Sequence, residues 1–174
     1  MTAAKARQRR ARDRWGGDAS HALELVSRYT QGRVRSIRET LEYLIRRGIT
    51  VVEVHRAIAE AKARGLLDDR VAAQLWAEHW ARRGYAWAMI RVRLREKGFD
   101  ERTITELANQ HHATEEDEAA ARRLIAASLR RSSNPPRRQR SRLARTLAAR
   151  GFDLDLIEQV LNEAVGPITS DAEH

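Results

Sequence analysis

Between residues 20 and 165 the apolar positions recur at intervals of three and four, the spacing that lines one face of a helix. Val, Ile and Thr form no alternating run of the kind a strand needs. Nine helical stretches are predicted, in three groups: 20–31, 35–47 and 51–64; 68–83, 85–97 and 101–111; 115–132, 137–150 and 154–165. A short phrase marks the same place in each group. It reads Leu44-Ile45-Arg46-Arg47-Gly48-Ile49, Leu94-Arg95-Glu96-Lys97-Gly98-Phe99 and Leu147-Ala148-Ala149-Arg150-Gly151-Phe152. The glycines lie 50 and then 53 positions apart, a period that points to a repeat array.

Each phrase is a helix stop followed at once by a helix start. Glycine tolerates the left-handed turn that ends a helix, and a basic residue before it suits the helix's negative end. The next apolar residue packs back on the last turn. Thr50, Asp100 and Asp153 then stand as N-caps, with Thr50 and Glu53 at capping-box spacing. Six residues past each glycine comes a branched apolar residue: Val54, Ile104 and Ile157.

The leading helices align through Leu25-Val26, Leu75-Trp76 and Leu124-Ile125. From these pairs to the repeat glycine the distances are 23, 23 and 27, so the third group carries four extra residues. Ser132-Ser133-Asn134-Pro135-Pro136 is their natural home, a loop by its turn formers. Gly65-Leu66-Leu67-Asp68-Asp69 joins the first two groups as a further stop and start. Asp68 reads as the cap and Asp69 as a first-turn partner of the helix dipole. The expected fold is all-α: three tandem three-helix repeats stacked into an elongated curved array. The expected organisation is a disordered basic arm over 1–19, repeats over 20–66, 67–113 and 114–165, and a flexible tail over 166–174.

Composition agrees with helices and narrows the partners. Aromatics make up 5% of the chain and there is no cysteine, so neither a disulfide frame nor a thiolate metal site is available. No apolar run approaches the roughly 20 residues of a membrane span, and no secretory signal opens the chain, which predicts a cytoplasmic location. The net charge of +9 is unevenly spread. Basic residues crowd the first fifteen positions, and eight arginines with no acid fall between Arg130 and Arg150. A polyanion or an acidic protein surface is the expected partner.

No catalytic constellation stands out, and no cofactor is called for. None of His21, His55, His79, His111, His112 and His174 makes an i,i+4 ligand pair on one helix, and Arg14-Trp15-Gly16-Gly17 lacks the Lys-Ser/Thr of a phosphate loop. Trp76 and Trp80 are i,i+4 on one face and read as packing, whereas Trp15, in the basic arm, is the better base-stacking candidate. The candidate partner-binding residues are cations at helical spacing. In the helix 85–97, Ile90 and Leu94 mark the buried stripe, Arg91 with Arg95 forms one exposed pair and Arg93 with Lys97 another. In the helix 137–150, Leu143 and Leu147 mark the buried side. Arg138, Arg142 and Arg145 follow the exposed side, with Arg137 and Arg140 beside them. Such ladders can track a phosphate backbone.

The phrase Arg35-Ser36-Ile37-Arg38-Glu39-Thr40-Leu41, then Gly65-Leu66-Leu67-Asp68-Asp69-x-Val71-Ala72-x-x-x-Trp76, then Leu94-x-x-Lys97-Gly98-Phe99, resembles the RecX family. The resemblance runs from about residue 22 to 165. It departs from the family at Val71, where many members have Phe, and over Arg82-Arg83-Gly84-Tyr85-Ala86-Trp87. The resemblance implies three tandem three-helix repeats and a non-enzymatic regulator of RecA. Such a regulator binds and usually inhibits the RecA–single-stranded-DNA filament, and so acts in homologous recombination and the SOS response of DNA repair. A monomer is expected, with the filament and its DNA as partners and no membrane. A general nucleic-acid-binding repeat protein and a helical scaffold for an acidic protein remain the alternatives.

Overall fold

A computed structural model describes residues 20–110, 113–131 and 136–167. The basic arm with Trp15, the paired His111 and His112, the loop 132–135 and the end of the tail lie outside them. The described residues form nine helices and no strand. They are α1 (residues 20–30), α2 (Ile37–Arg46), α3 (Val51–Ala63), α4 (Asp69–Arg82), α5 (Trp87–Glu96), α6 (Glu101–Ala108), α7 (Ala113–Arg130), α8 (Pro136–Ala148) and α9 (Leu154–Val165).

The expected local signals are present. Ser36 and Glu39 close a capping box on α2, and Thr50 and Glu53 close another on α3. Asp68 accepts the N–H groups of Arg70 and Val71, Asp100 that of Thr103 and Asp153 that of Asp155. Gly48, Gly98 and Gly151 all take left-handed φ values of 81–85°. Val54, Ile104 and Ile157 are buried, as are the α5 stripe Ile90 and Leu94 and the α8 stripe Leu143 and Leu147. Trp80 is buried too, in keeping with its packing role. Leu75 departs from the alignment of leading pairs: it is 44% exposed.

The residues cluster into two compact units. One holds the chain up to Trp76 together with Arg95–Thr103; the other holds Ala77–Leu94 and the chain from Ile104 onward. In the first, α1, α2 and α3 surround Val26, Leu44, Val54 and Ala61. In the second, α7, α8 and α9 surround Ala121, Ile125, Leu147, Phe152 and Leu161.

Each unit contains the same joint. In the first, the N-terminus of α2 meets the C-terminal end of α5: Ser36 Oγ donates to the Lys97 carbonyl at 2.6 Å. In the second, the N-terminus of α5 meets the end of α8: the Ala86 N–H donates to the Arg150 carbonyl at 3.0 Å. A helix end rich in unpaired carbonyls thus faces one rich in unpaired N–H groups, which favours both. An aspartate completes each joint. Asp69 accepts the Ile37 N–H at 2.8 Å, and Asp117 accepts the Trp87 N–H at 3.0 Å. Asp69 therefore serves α2, not only the start of its own helix.

Loss of either acceptor strands a partly buried N–H. Asp69→Ala and Asp117→Ala are each expected to cost about 1–3 kcal/mol in denaturant unfolding, and the Asn variants, which keep an acceptor, less. Burial pushes both carboxyls above the ordinary aspartate value of 3.8, against the pull of their backbone bonds. Above that value the folded chain holds protons the unfolded chain has released. Their contribution to stability is full below pH 3.8 and is lost as pH rises through the raised values. The double Asn variant is expected to lack this loss when unfolding is followed across that window.

Candidate nucleic-acid interface

The cations predicted to bind meet different fates. Arg91 is exposed. Arg93 is half-buried, its guanidinium 4.2 Å from the centre of the Tyr85 ring and 5.9 Å from that of Trp80, with a buried Nε that has no hydrogen-bond partner. Arg95 is exposed and forms a two-pronged ion pair with Glu101. Lys97 is bound within the first joint, 2.9 Å from Glu39 and 4.2 Å over the Trp76 ring.

On α8, Arg138 and Arg142 are exposed. Arg140 is tied to Asn162 and to the Gly166 carbonyl, both at 2.8 Å, and so pins the end of α9. Arg145 is exposed and its Nε donates to Ser141 at 3.3 Å. The side chain of Arg137 lies outside the described residues.

In the second unit the structure gathers a different set. A hollow of about 160 Å³ is lined by Arg82, Arg83, Arg123, Gly84, Ala120 and Leu124. A hollow of about 180 Å³ is lined by Arg131, Arg142, Arg150, Ser128, Thr146 and Leu124. Leu124 belongs to both. The Arg150 guanidinium reaches the Arg83 and Gly84 carbonyls and stands 5.5 Å from the centre of the Tyr85 ring. Neither lining contains an acid. Of the six arginines, Arg82 pairs with Glu78 at 3.5 Å, and Arg123 donates to the Ala119 carbonyl. Hydroxyls and guanidiniums at the rim of a small hollow are suited to a phosphate group.

The charge arrangement on α7 sharpens this face. Its acids are confined to the first half, where Asp117 serves the joint and Glu118 holds Arg122 at 2.6 Å. Arg122 also holds Glu163, whose carboxyl is pushed down by that bond. Arg123 and Arg130 follow in the second half, and Arg131 just past its end. Of the two predicted ladders, Arg142 contributes to these two hollows. The contributions of Arg123, Arg131 and Arg150 come from a neighbouring helix and a helix end, which a single-helix pattern does not reveal.

The fold defines an all-helical repeat protein. Residues 115–161 match the family described as RecX, third three-helix domain. A regulatory protein RecX from Pectobacterium atrosepticum is 38% identical over 61 residues, which covers 35% of this chain and 38% of that protein's length. The crystal structure of RecX from Lactobacillus salivarius superposes with a TM-score of 0.72 at 17% identity, over 86% of this chain and 97% of that one. A second crystal structure, of a regulatory protein RecX, gives a TM-score of 0.72 at 20% identity, over 86% and 76% of the two chains. The resemblance read from the sequence is borne out as a likeness: residues 115–161 match the third three-helix domain of RecX, and the fold is shared with RecX structures.

Proposed function

We propose that the protein is a RecX-type regulator of RecA, an inhibitor without enzymatic activity that works as a monomer in the cytoplasm. It binds the RecA–single-stranded-DNA filament through basic helix faces. In this reading the candidate cations Arg91, Arg138, Arg142 and Arg145 engage filament DNA or acidic RecA surface. The pair of acid-free, arginine-lined hollows in the second unit is the observation that carries the proposal. The hollows give adjacent phosphates two places to sit, with Leu124 between them.

The test is RecA-dependent ATP hydrolysis and strand exchange on single-stranded DNA, with and without the protein. Inhibition at stoichiometric amounts is expected. Tight binding to bare DNA with no change in either RecA reaction would overturn the proposal in favour of a general nucleic-acid-binding repeat protein.

A further inference from the structure

The first unit contains a hollow of about 640 Å³, in the size range of ligand-binding clefts. Its linings include Gln31, Arg33 and Val34 on one side and Leu66, Val71, Ala72 and Leu75 on the other. In the repeat alignment it corresponds to the smaller hollow at Arg82, Arg83 and Gly84, one repeat further along. The correspondence shows what is missing. In the second unit Leu124 packs onto Gly84, within 3.0–3.1 Å of where a Cβ would stand, and helps close the space. In the first unit the position of Gly84 is taken by Val34, and Leu75, the counterpart of Leu124, is left 44% exposed. Val71 and Leu66 are 52% and 39% exposed beside it. An apolar side chain from elsewhere would complete the wall.

The cleft's lining holds two arginines, Arg33 and Arg35, and one acid, Asp68, whose carboxylate already accepts the Arg70 and Val71 N–H groups. Arg35 is largely withdrawn from solvent, stacked 4.4 Å over Tyr29, and its Nε is buried without a hydrogen-bond partner. The carboxylate it pairs with, Glu39, stands at 4.0 Å and is held more closely by Lys97 at 2.9 Å and by the Ser36 N–H. One carboxylate is thus shared by two cations, and a poorly neutralised guanidinium of this kind favours an incoming anion. Asp68 at the rim and the apolar wall argue against a nucleic-acid strand, which would want continuous positive charge.

We infer that this cleft binds a segment of a partner protein that places a carboxylate beside one or two large apolar side chains. The carboxylate meets Arg35 and Arg33; the apolar groups pack on Leu66, Val71 and Leu75. The site is independent of the arginine-lined face of the second unit.

The probe is a fluorescein-labelled peptide, Ser-Asp-Glu-Leu-Leu-Glu-Phe, titrated with the full chain. Its Asn/Gln counterpart serves as a control. Saturable binding is expected, weakened at least about tenfold by the amide peptide and by Arg35→Gln, the effect of losing a charge-assisted hydrogen bond. Val71→Asp and Leu75→Asp, at exposed positions that leave helicity intact, should also weaken it at least tenfold, and Arg142→Ala should leave it unchanged. The inference is overturned by equal binding of acidic and amide peptides, or by indifference to both Val71→Asp and Leu75→Asp. It is likewise overturned by displacement of the peptide by an oligo-dT that depends on Arg35, or by self-association of the chain that Leu75→Asp abolishes.

Discussion

Gly151→Ala is expected to lower stability by about 2–4 kcal/mol in denaturant unfolding, against about 1–2 kcal/mol for Gly48→Ala. Both positions have positive φ, +85° and +81°, and any side chain there carries the cost of a left-handed backbone. The difference comes from what stands opposite. A Cβ on Gly151 would fall 2.6 Å from the Cβ of Met89 and 3.0 Å from its backbone nitrogen, so the joint between α8 and α5 must open. Overpacking of that kind adds about 1–3 kcal/mol. A Cβ on Gly48 meets nothing within 4 Å. Gly98 lies between the two: the atoms it would strike belong to the Arg38 side chain, at 2.5–3.0 Å, and a flexible chain can swing aside. Equal costs at all three glycines would show that only the turn matters and that the joint does not require the close approach.

That gradation was hidden in a phrase that reads the same three times. Caps, stops and stripes were legible because they act over three or four residues: Ser36 with Glu39, Thr50 with Glu53, Ile90 with Leu94. The joints were not, because they connect residues far apart in sequence, such as Ser36 with Lys97 and Asp69 with Ile37. A helical repeat of cations shows which residues share a face, but not which of them a neighbouring element will take. Lys97 and Arg140 sit at the predicted spacing yet are tied to Glu39 and Asn162. Gly84 was the available sign of the second unit's hollow, since a glycine at a helix end next to Arg82 and Arg83 leaves room for Leu124 to enter.

This division between tied and exposed cations gives the second large effect. Combined Arg123→Ala, Arg131→Ala and Arg142→Ala is expected to weaken binding to single-stranded DNA, alone or within RecA filaments, by at least about tenfold at low salt. Each phosphate contact with a single strand adds about 0.7 to the slope of log affinity against log salt, so removing three should flatten it by about 2. Helicity should hold: Arg131 and Arg142 are exposed, and Arg123 gives up one 3.3 Å bond to the carbonyl of Ala119 on its own helix. Lys97→Ala with Arg140→Ala removes charge of comparable size from positions already paired inside the fold. It should lower stability and leave the salt slope unchanged. Fluorescence anisotropy of a labelled oligonucleotide between about 50 and 200 mM salt separates the two. A slope that flattens equally in both variants would mean that binding follows net charge and not the arginine-lined hollows, because only the first variant removes arginines that line them.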